Sequence, residues 1–227
     1  MPRALIFVNG CIPDLEAVRR LMRPDDSLLA ADGGTQHLLA LGLTPSVIIG
    51  DLDSLNPDVQ RQVERSGTRL FQHPRDKNET DFELALEHAV EEGYREILVI
   101  GALGGRLDQT LGNLALLSAP RLSSLDVRLE DGVEEAFFTR TRGEVQGAAG
   151  DLVSLLPWGA AVTGIVTEGL RWPLRDETLQ PSKTRGISNE MLGGTASVTL
   201  KSGLLLVVHR RQQRPSIQAV PGALRDP

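Results

Sequence analysis

Four short loops, each placed after an apolar run, carry most of the chemistry this chain can do. They read Ala31-Asp32-Gly33-Gly34, Gly50-Asp51-Leu52-Asp53-Ser54, Asn78-Glu79-Thr80-Asp81 and Gly104-Gly105-Arg106-Leu107-Asp108. Carboxylate oxygens are the donors that Mg²⁺ prefers, and such a site leaves positions for water and phosphate. Glycines beside them let backbone amides approach phosphate oxygens closely. One such loop means little, but the series points to an ATP-using transferase.

Each loop also has a plainer reading. Asp32 and Gly33-Gly34 precede a helical stretch whose free N–H groups suit an anion, yet the same residues serve as a cap and a turn. On an extended backbone Asp51 and Asp53 point to one side, where they repel unless a cation lies between them. An Asp-rich turn closed on its own backbone has the same composition. Thr80 with Glu83 fits a capping box, which leaves Asp81 as a further metal- or nucleophile-facing acid and Lys77 as a phosphate contact. In the last loop Arg106 offers a forked donor for phosphate oxygens, and Asp108 is placed to orient a nucleotide or a metal-bound water. The spacing is neither a P-loop nor a dinucleotide fingerprint. His37, His73, His88 and His209 lack metal-ligand spacing.

The elements that must position these loops follow from periodicity. Residues 4–8, 27–31, 46–49, 69–72, 96–100 and 126–129 read as short buried strands. Helical spacing falls between them at 14–21, 35–41, 57–66, 80–92 and 107–117. In the stretch 80–92, Phe82, Leu84, Ala85, Ala89 and Val90 are expected to turn inward. The alternation predicts an α/β fold, with an N-terminal Rossmann-like, mostly parallel sheet flanked by helices. In such a sheet ligands bind beyond the carboxyl ends of the strands, so the four loops share one edge. After about Glu130 the pattern changes to strands at 134–139, 144–146, 152–157, 161–166, 195–200 and 204–208, separated by Gly, Pro and Asp turns. This predicts a smaller C-terminal all-β sandwich or partial barrel. The expected division is 1–140, 141–210 and a flexible tail at 211–227, with fraying from His209 onward.

Composition sets the outer bounds. The 227 residues are 41% hydrophobic and 24% charged, ordinary material for a soluble globular protein. A net charge of −6 argues against a nucleic-acid partner. The single cysteine, Cys11, makes an intramolecular disulfide impossible. No apolar stretch reaches the roughly 20 residues of a membrane span. The apolar residues 4–8 read as a first strand rather than a secretory signal, so a cytoplasmic location is expected.

With the loops in order, the sequence resembles the thiamine pyrophosphokinase (thiamine diphosphokinase) family from about Ala4 to Val208. Besides the four loops, the resemblance rests on Gly169-Leu170-Arg171-Trp172-Pro173-Leu174 and Gly186-Ile187-Ser188-Asn189-Glu190. It departs from the family at Asn78, where many relatives carry another acid, and at Thr184-Arg185. The resemblance implies a Mg²⁺-dependent transfer of a pyrophosphoryl group from ATP to the thiamine hydroxyl. It also implies a homodimer whose active site lies at the subunit interface. Asp51, Asp53 and Asp81 would serve the metal, and Asp81, Asp108, Arg106 and Lys77 the reacting groups. Asp32, Gly33, Gly34, Thr80, Gly104, Gly105, Arg106 and Asp108 would line the nucleotide and thiamine site. Trp172 would stack on the pyrimidine ring and Ser188 and Asn189 would meet its polar edge. An aromatic after Gly-Leu-Arg can be a flat platform for a cationic heteroaromatic ligand; the alternative for Trp172 is a core anchor of the β domain. Two rival functions remain: a pyrophosphokinase for another hydroxymethyl heterocycle such as a hydroxymethylpterin, and a non-catalytic sensor of ATP or thiamine diphosphate.

Overall fold

Short strands, most of them Val-, Ile- and Leu-rich and buried on both faces, alternate with one-sided helices through the first 130 residues. The computed structural model describes residues 2–53 and 55–212. Ser54 and the stretch 213–227, where most of the expected tail falls, lie outside the described residues. In chain order the elements are β1 (Ala4–Phe7), α1 (Leu15–Leu21), β2 (Ser27–Ala31), α2 (Thr35–Ala40), β3 (Val47–Gly50), α3 (Pro57–Arg65), β4 (Arg69–Gln72), α4 (Asp81–Glu91), β5 (Glu96–Ile100), α5 (Leu107–Leu117) and β6 (Asp126–Glu130).

These strands pair in parallel in the order β6-β5-β1-β2-β3-β4. One sheet face carries Ile6, Val8, Leu29, Ile49 and Val99 and is covered by α4 and α5. The other carries Leu5, Phe7, Ala30, Ile48 and Ile100 and packs against Val18, Leu38 and Val63 of α1, α2 and α3. In α4 the buried residues are Phe82, Ala85, Leu86 and Ala89, an i, i+3, i+4, i+7 stripe. Leu86 therefore takes the inward place expected of Leu84 and Val90, which are only partly buried. Among the described residues no helix is long and apolar enough to cross a membrane.

The remaining strands are β7 (Glu134–Thr139), β8 (Arg142–Gln146), β9 (Leu152–Pro157), β10 (Val162–Glu168), β11 (Arg175–Leu179), β12 (Asn189–Glu190), β13 (Thr195–Thr199) and β14 (Leu205–Arg210). Four of them extend the parallel sheet in antiparallel fashion, giving ten strands in the order β12-β9-β14-β7-β6-β5-β1-β2-β3-β4. The other four form a second sheet, β11-β10-β13-β8. Between the two layers lies a core of Phe137, Val153, Leu155, Ile165, Val198, Leu205 and their neighbours. The β half is thus an antiparallel sandwich that takes one layer from the main sheet.

The end of β14 differs from the frayed tail expected after Val208. His209 is fully buried, with Nδ1 3.0 Å from Glu135 Oε1 and Nε2 3.2 Å from Asp151 Oδ2. Arg211 donates to both Glu130 oxygens at 2.9 and 2.8 Å, and Gln212 N donates to Asp151 Oδ1 at 3.0 Å. Buried polar groups persist only when partnered, and these partners tie the last strand to β7 and to the turn before β9. Burial alone would raise the Glu135 carboxyl. The hydrogen bond to His209 and the Arg128 charge outweigh it and hold the group below its ordinary value. For Asp151, burial is likewise outweighed by the Gln212 N–H, His209 and the Ala148 N–H. Burial prevails at Glu130, whose carboxyl is raised despite Arg211.

A carboxyl depressed in the folded state contributes stability above its unfolded pKa and loses it as pH falls through the folded value. Asp151→Asn should therefore cost about 1–3 kcal/mol at pH 7. The gap to wild type should narrow as pH drops below the unfolded carboxylate value of about 3.9. Urea unfolding of both proteins across this range, compared as a difference so that Glu130 cancels, measures it; a gap independent of pH would contradict the assignment.

Candidate active site

The strand order reverses at β1, with β2 on one side and β5 on the other. At such a switch point the loops leave in opposite directions and open a crevice at the carboxyl edge. A cleft of about 690 Å³ lies there, lined in part by Asn9, Asp32, Asp51, Lys77, Asp81, Gly105 and Arg106. All four aspartate loops reach this region, so their shared edge is a property of the topology.

Close packing brings the loops together. After β2 the chain makes a single 3₁₀ turn, Asp32–Gly34, with Asp32 in the left-handed region at φ 40°. A Cβ on Gly34 would lie 1.9 Å from Phe7 O, so only glycine lets this turn sit on β1. No side chain caps α2, which removes the capping explanation for Asp32. Gly50 ends β3 at φ 151°, and a Cβ there would lie 2.8 Å from Asp32 Cβ and 3.1 Å from Asp81 Oδ1. The missing side chain of Gly50 is what lets two acids from other loops close over β3.

Oxygens of Asp32, Asp51 and Asp53 all lie within 4.8 Å of one another. The backbone between Asp51 and Asp53 is not extended as expected. Leu52 has φ 63° and Asp53 N donates to Asp51 Oδ1 at 3.1 Å. The two acids converge through an Asx turn, with Leu52 buried in the sheet core as its anchor. The grouping also differs from the expected metal set, because Asp32 joins Asp51 and Asp53. Asp81 stands beside them, with its Oδ1 2.9 Å from Lys77 Nζ. Thr80 N-caps α4 by accepting from Glu83 N at 3.1 Å.

The opposite rim is the glycine-rich loop after β5. Gly104 and Gly105 both have positive φ, and Asn113 Nδ2 donates to Ala102 O at 2.9 Å, pinning the loop to α5. Arg106 donates to Asp108 through Nε at 3.1 Å. That hydrogen bond is the main reason the Asp108 carboxyl lies below its ordinary value. Arg75, which sequence spacing did not single out, also lines the cleft, with Nη2 3.4 Å from Asp53 Oδ2. No motif flags it; its place is evident only once the 73–79 loop is seen against the Asx turn. Asn9, which no motif flags, and Gln109, next to Asp108 in the fourth loop, line the cleft as well.

Trp172, Ser188 and Asn189 are not among the cleft residues. Trp172 is 57% exposed, so it is not a core anchor, and the Arg171 guanidinium carbon lies 5.3 Å from its ring centroid. The Asn189 amide is turned to the Trp172 backbone, accepting from Trp172 N at 3.0 Å and donating to Trp172 O at 2.7 Å. Asn189 therefore fixes the backbone of Trp172, and its amide is occupied there rather than free for a ligand's polar edge. Ser188 is exposed at φ 58°, its N donating to Ser154 Oγ at 3.0 Å. Asn189 lies on β12, six inter-strand steps from β1, which is on the order of 29 Å at ~4.8 Å per step.

Comparison with known proteins agrees with this two-part layout. Residues 18–129 match the family described as "Thiamin pyrophosphokinase, catalytic domain" and residues 141–205 match "Thiamin pyrophosphokinase, vitamin B1 binding domain". The chain is 27% identical over 182 residues to the thiamine pyrophosphokinase of Bacillus subtilis (strain 168), covering 79% of this chain and 85% of that one. Among solved structures, the Bacillus subtilis thiamine pyrophosphokinase superposes with a TM-score of 0.83 at 23% identity, covering 93% of this chain and 100% of that one. The enzyme from Geobacillus thermodenitrificans gives 0.79 at 26% identity, covering 93% and 98%. Fold and matches define a transferase of the kinase and pyrophosphotransferase class. The chain belongs to the thiamine pyrophosphokinase family.

The role of Gly50 is directly testable. Gly50→Ala should displace Asp32 and Asp81 and lower turnover about tenfold to a hundredfold, with a far-UV spectrum like that of wild type. Unchanged turnover in the folded variant would show that the close approach at β3 is dispensable.

Proposed function

We propose that this chain transfers a pyrophosphoryl group from Mg-ATP to the hydroxyl of thiamine, giving thiamine diphosphate and AMP. The observation that carries the reading is the meeting of Asp32, Asp51 and Asp53 at the switch-point crevice, faced by a glycine-rich loop bearing Arg106. The donor set fits Mg²⁺. An octahedral ion with bonds of ~2.1 Å separates its ligand oxygens by about 3.0–4.2 Å, and the carboxylate oxygens already lie within 4.8 Å of one another. Asp32, Asp51 and Asp53 would hold the ion, with Asp81 beside them. When bound, it neutralises phosphate charge and orients the chain of phosphates.

The protein's own groups do the remaining work. Lys77 and Arg106 take negative charge that grows on the transferred group and on AMP. The thiamine oxygen bonds to the β-phosphorus, the bond from that phosphorus to the α–β bridging oxygen breaks, and AMP leaves with the electron pair. The hydroxyl proton passes to a carboxylate of the rim, for which Asp81 and Asp108 are the candidates. The compartment this reading implies is the cytoplasm, where Mg-ATP is abundant.

Two chains are needed for a complete site. On one chain Trp172 is remote from the cleft, while Leu107 and Leu111 on the α5 rim are 73% and 49% exposed. The reading is a homodimer in which Trp172 of one subunit, held by its own Asn189, covers the cleft of the other.

Incubation with Mg-ATP and thiamine should yield AMP and thiamine diphosphate in equal amounts. ADP with thiamine monophosphate, or no product, would sink the reading, as would a preference for a pterin alcohol. Asp53→Asn should lose at least about a hundredfold in kcat while remaining folded. Mixing Asp53→Asn with Trp172→Ala, each nearly inactive, should restore about a quarter of wild-type activity, because half the dimers are mixed and half their sites intact. No recovery on mixing would place both residues in one chain's site.

A further inference from the structure

Among the described residues, each of the three cations that line the cleft lies against a nearby acid. Arg75 Nη2 lies 3.4 Å from Asp53 Oδ2, Lys77 Nζ 2.9 Å from Asp81 Oδ1, and Arg106 Nη2 2.5 Å from Asp108 Oδ2. The first two cations come from one short loop, and the acids they meet belong to, or adjoin, the carboxylate group of Asp32, Asp51 and Asp53. We propose that Arg75 and Lys77 are place-holding cations. In the metal-free protein they screen Asp53 and Asp81, and they pass to polyphosphate oxygens when those acids take up a divalent ion. The proposal rests on the metal and polyphosphate reading above and adds Arg75 to the residues that bind phosphate.

The contacts have the character such an exchange needs. Lys77 is within bonding distance of Asp81 Oδ1, yet that buried oxygen makes no contact with hydrogen-bond geometry. The pair is held by charge rather than by a directed bond. Arg75 is 83% exposed, and among the described residues Asp53 is the only acid within 4.0 Å of it. Its guanidinium can swing to a phosphate without leaving another group unpaired. Arg75 and Lys77 are two residues apart on the same loop. A small shift of the 73–79 loop therefore moves both cations together.

Partner exchange has a thermodynamic consequence. A divalent ion arriving alone meets acids already screened and must strand two cations beside it. A polyphosphate arriving alone must draw those cations away, leaving Asp53 unscreened next to Asp51 and Asp32. Arriving together, each ligand receives the partners the other releases. Metal and polyphosphate affinities are then positively coupled, and the coupling is reciprocal.

The test reads binding of each ligand by itself. Mn²⁺ alone is titrated by electron paramagnetic resonance, and α,β-methylene-ATP is titrated in EDTA by calorimetry. Both use wild type, Arg75→Ala, Lys77→Met and Arg75→Lys, with melting curves as a check on folding. Both truncated variants should bind Mn²⁺ about threefold more tightly than wild type and the metal-free nucleotide about threefold more weakly. Arg75→Lys should restore both values. Affinities that fall together would mean the loop is merely structural, and unchanged values would mean the cations hold no place; either overturns the proposal. Wild type that binds no Mn²⁺ and releases no AMP would overturn the functional reading as well. Wild type that does both while its variants show no opposite shifts overturns the exchange alone.

Discussion

Mutual repulsion of carboxylates is the constraint around which this molecule is arranged. Oxygens of Asp32, Asp51 and Asp53 lie within 4.8 Å of one another, and like charges so close repel one another. Holding them there requires backbone that does not relax. Asp32 and Leu52 both occupy the left-handed region, at about 1 to 3 kcal/mol each for non-glycine residues. The surrounding sheet supplies the rigidity. Leu52 is rooted among Leu5, Phe7 and Ile48, and each such buried side chain contributes about 1.5–3 kcal/mol. Strain at the site is therefore anchored in the strongest part of the core.

The same sheet connects the site to the β half. Four antiparallel strands continue the parallel sheet across the expected division at 140. Residues after that point are thus held in register with β6 by backbone hydrogen bonds through β7. The cluster of Glu135, His209 and Asp151 closes this junction from the inside. In the proposed two-chain site a rigid junction would matter, because the orientation of Trp172 on one subunit would set how it meets the cleft of the other.

Much of this was legible in the sequence, and the gaps have physical causes. Strands such as β1 and β5 declare themselves because they are buried on both faces and, apart from Glu96, apolar. β11 reads Arg-Asp-Glu-Thr-Leu and buries only its last residue, so no hydrophobic pattern announces it. β12 has two residues, too few for any period. His209 and Arg210 read as tail in the sequence because their partners, Glu135, Asp151 and Glu134, are 58 or more positions away. At the site the loops were evident from residue types, but the grouping of the acids was not. Asp32 meets Asp51 only because β2 and β3 are neighbours and Gly50 lacks a side chain. Arg75 carries no motif of its own, and the hold of Asn189 on the Trp172 backbone comes from what the fold sets beside it.

The central claim is that Asp32, Asp51 and Asp53 form one divalent-cation site held by the sheet. Thermal unfolding of wild type and Asp32→Asn, with and without Mg²⁺, tests it most directly. Ligand binding to the folded state raises stability by mass action. Mg²⁺ at about a hundred times its dissociation constant should raise the wild-type midpoint by several degrees. The Asp32→Asn midpoint should move by about a degree or less on adding Mg²⁺. Equal Mg²⁺-induced shifts in the two proteins would contradict the account.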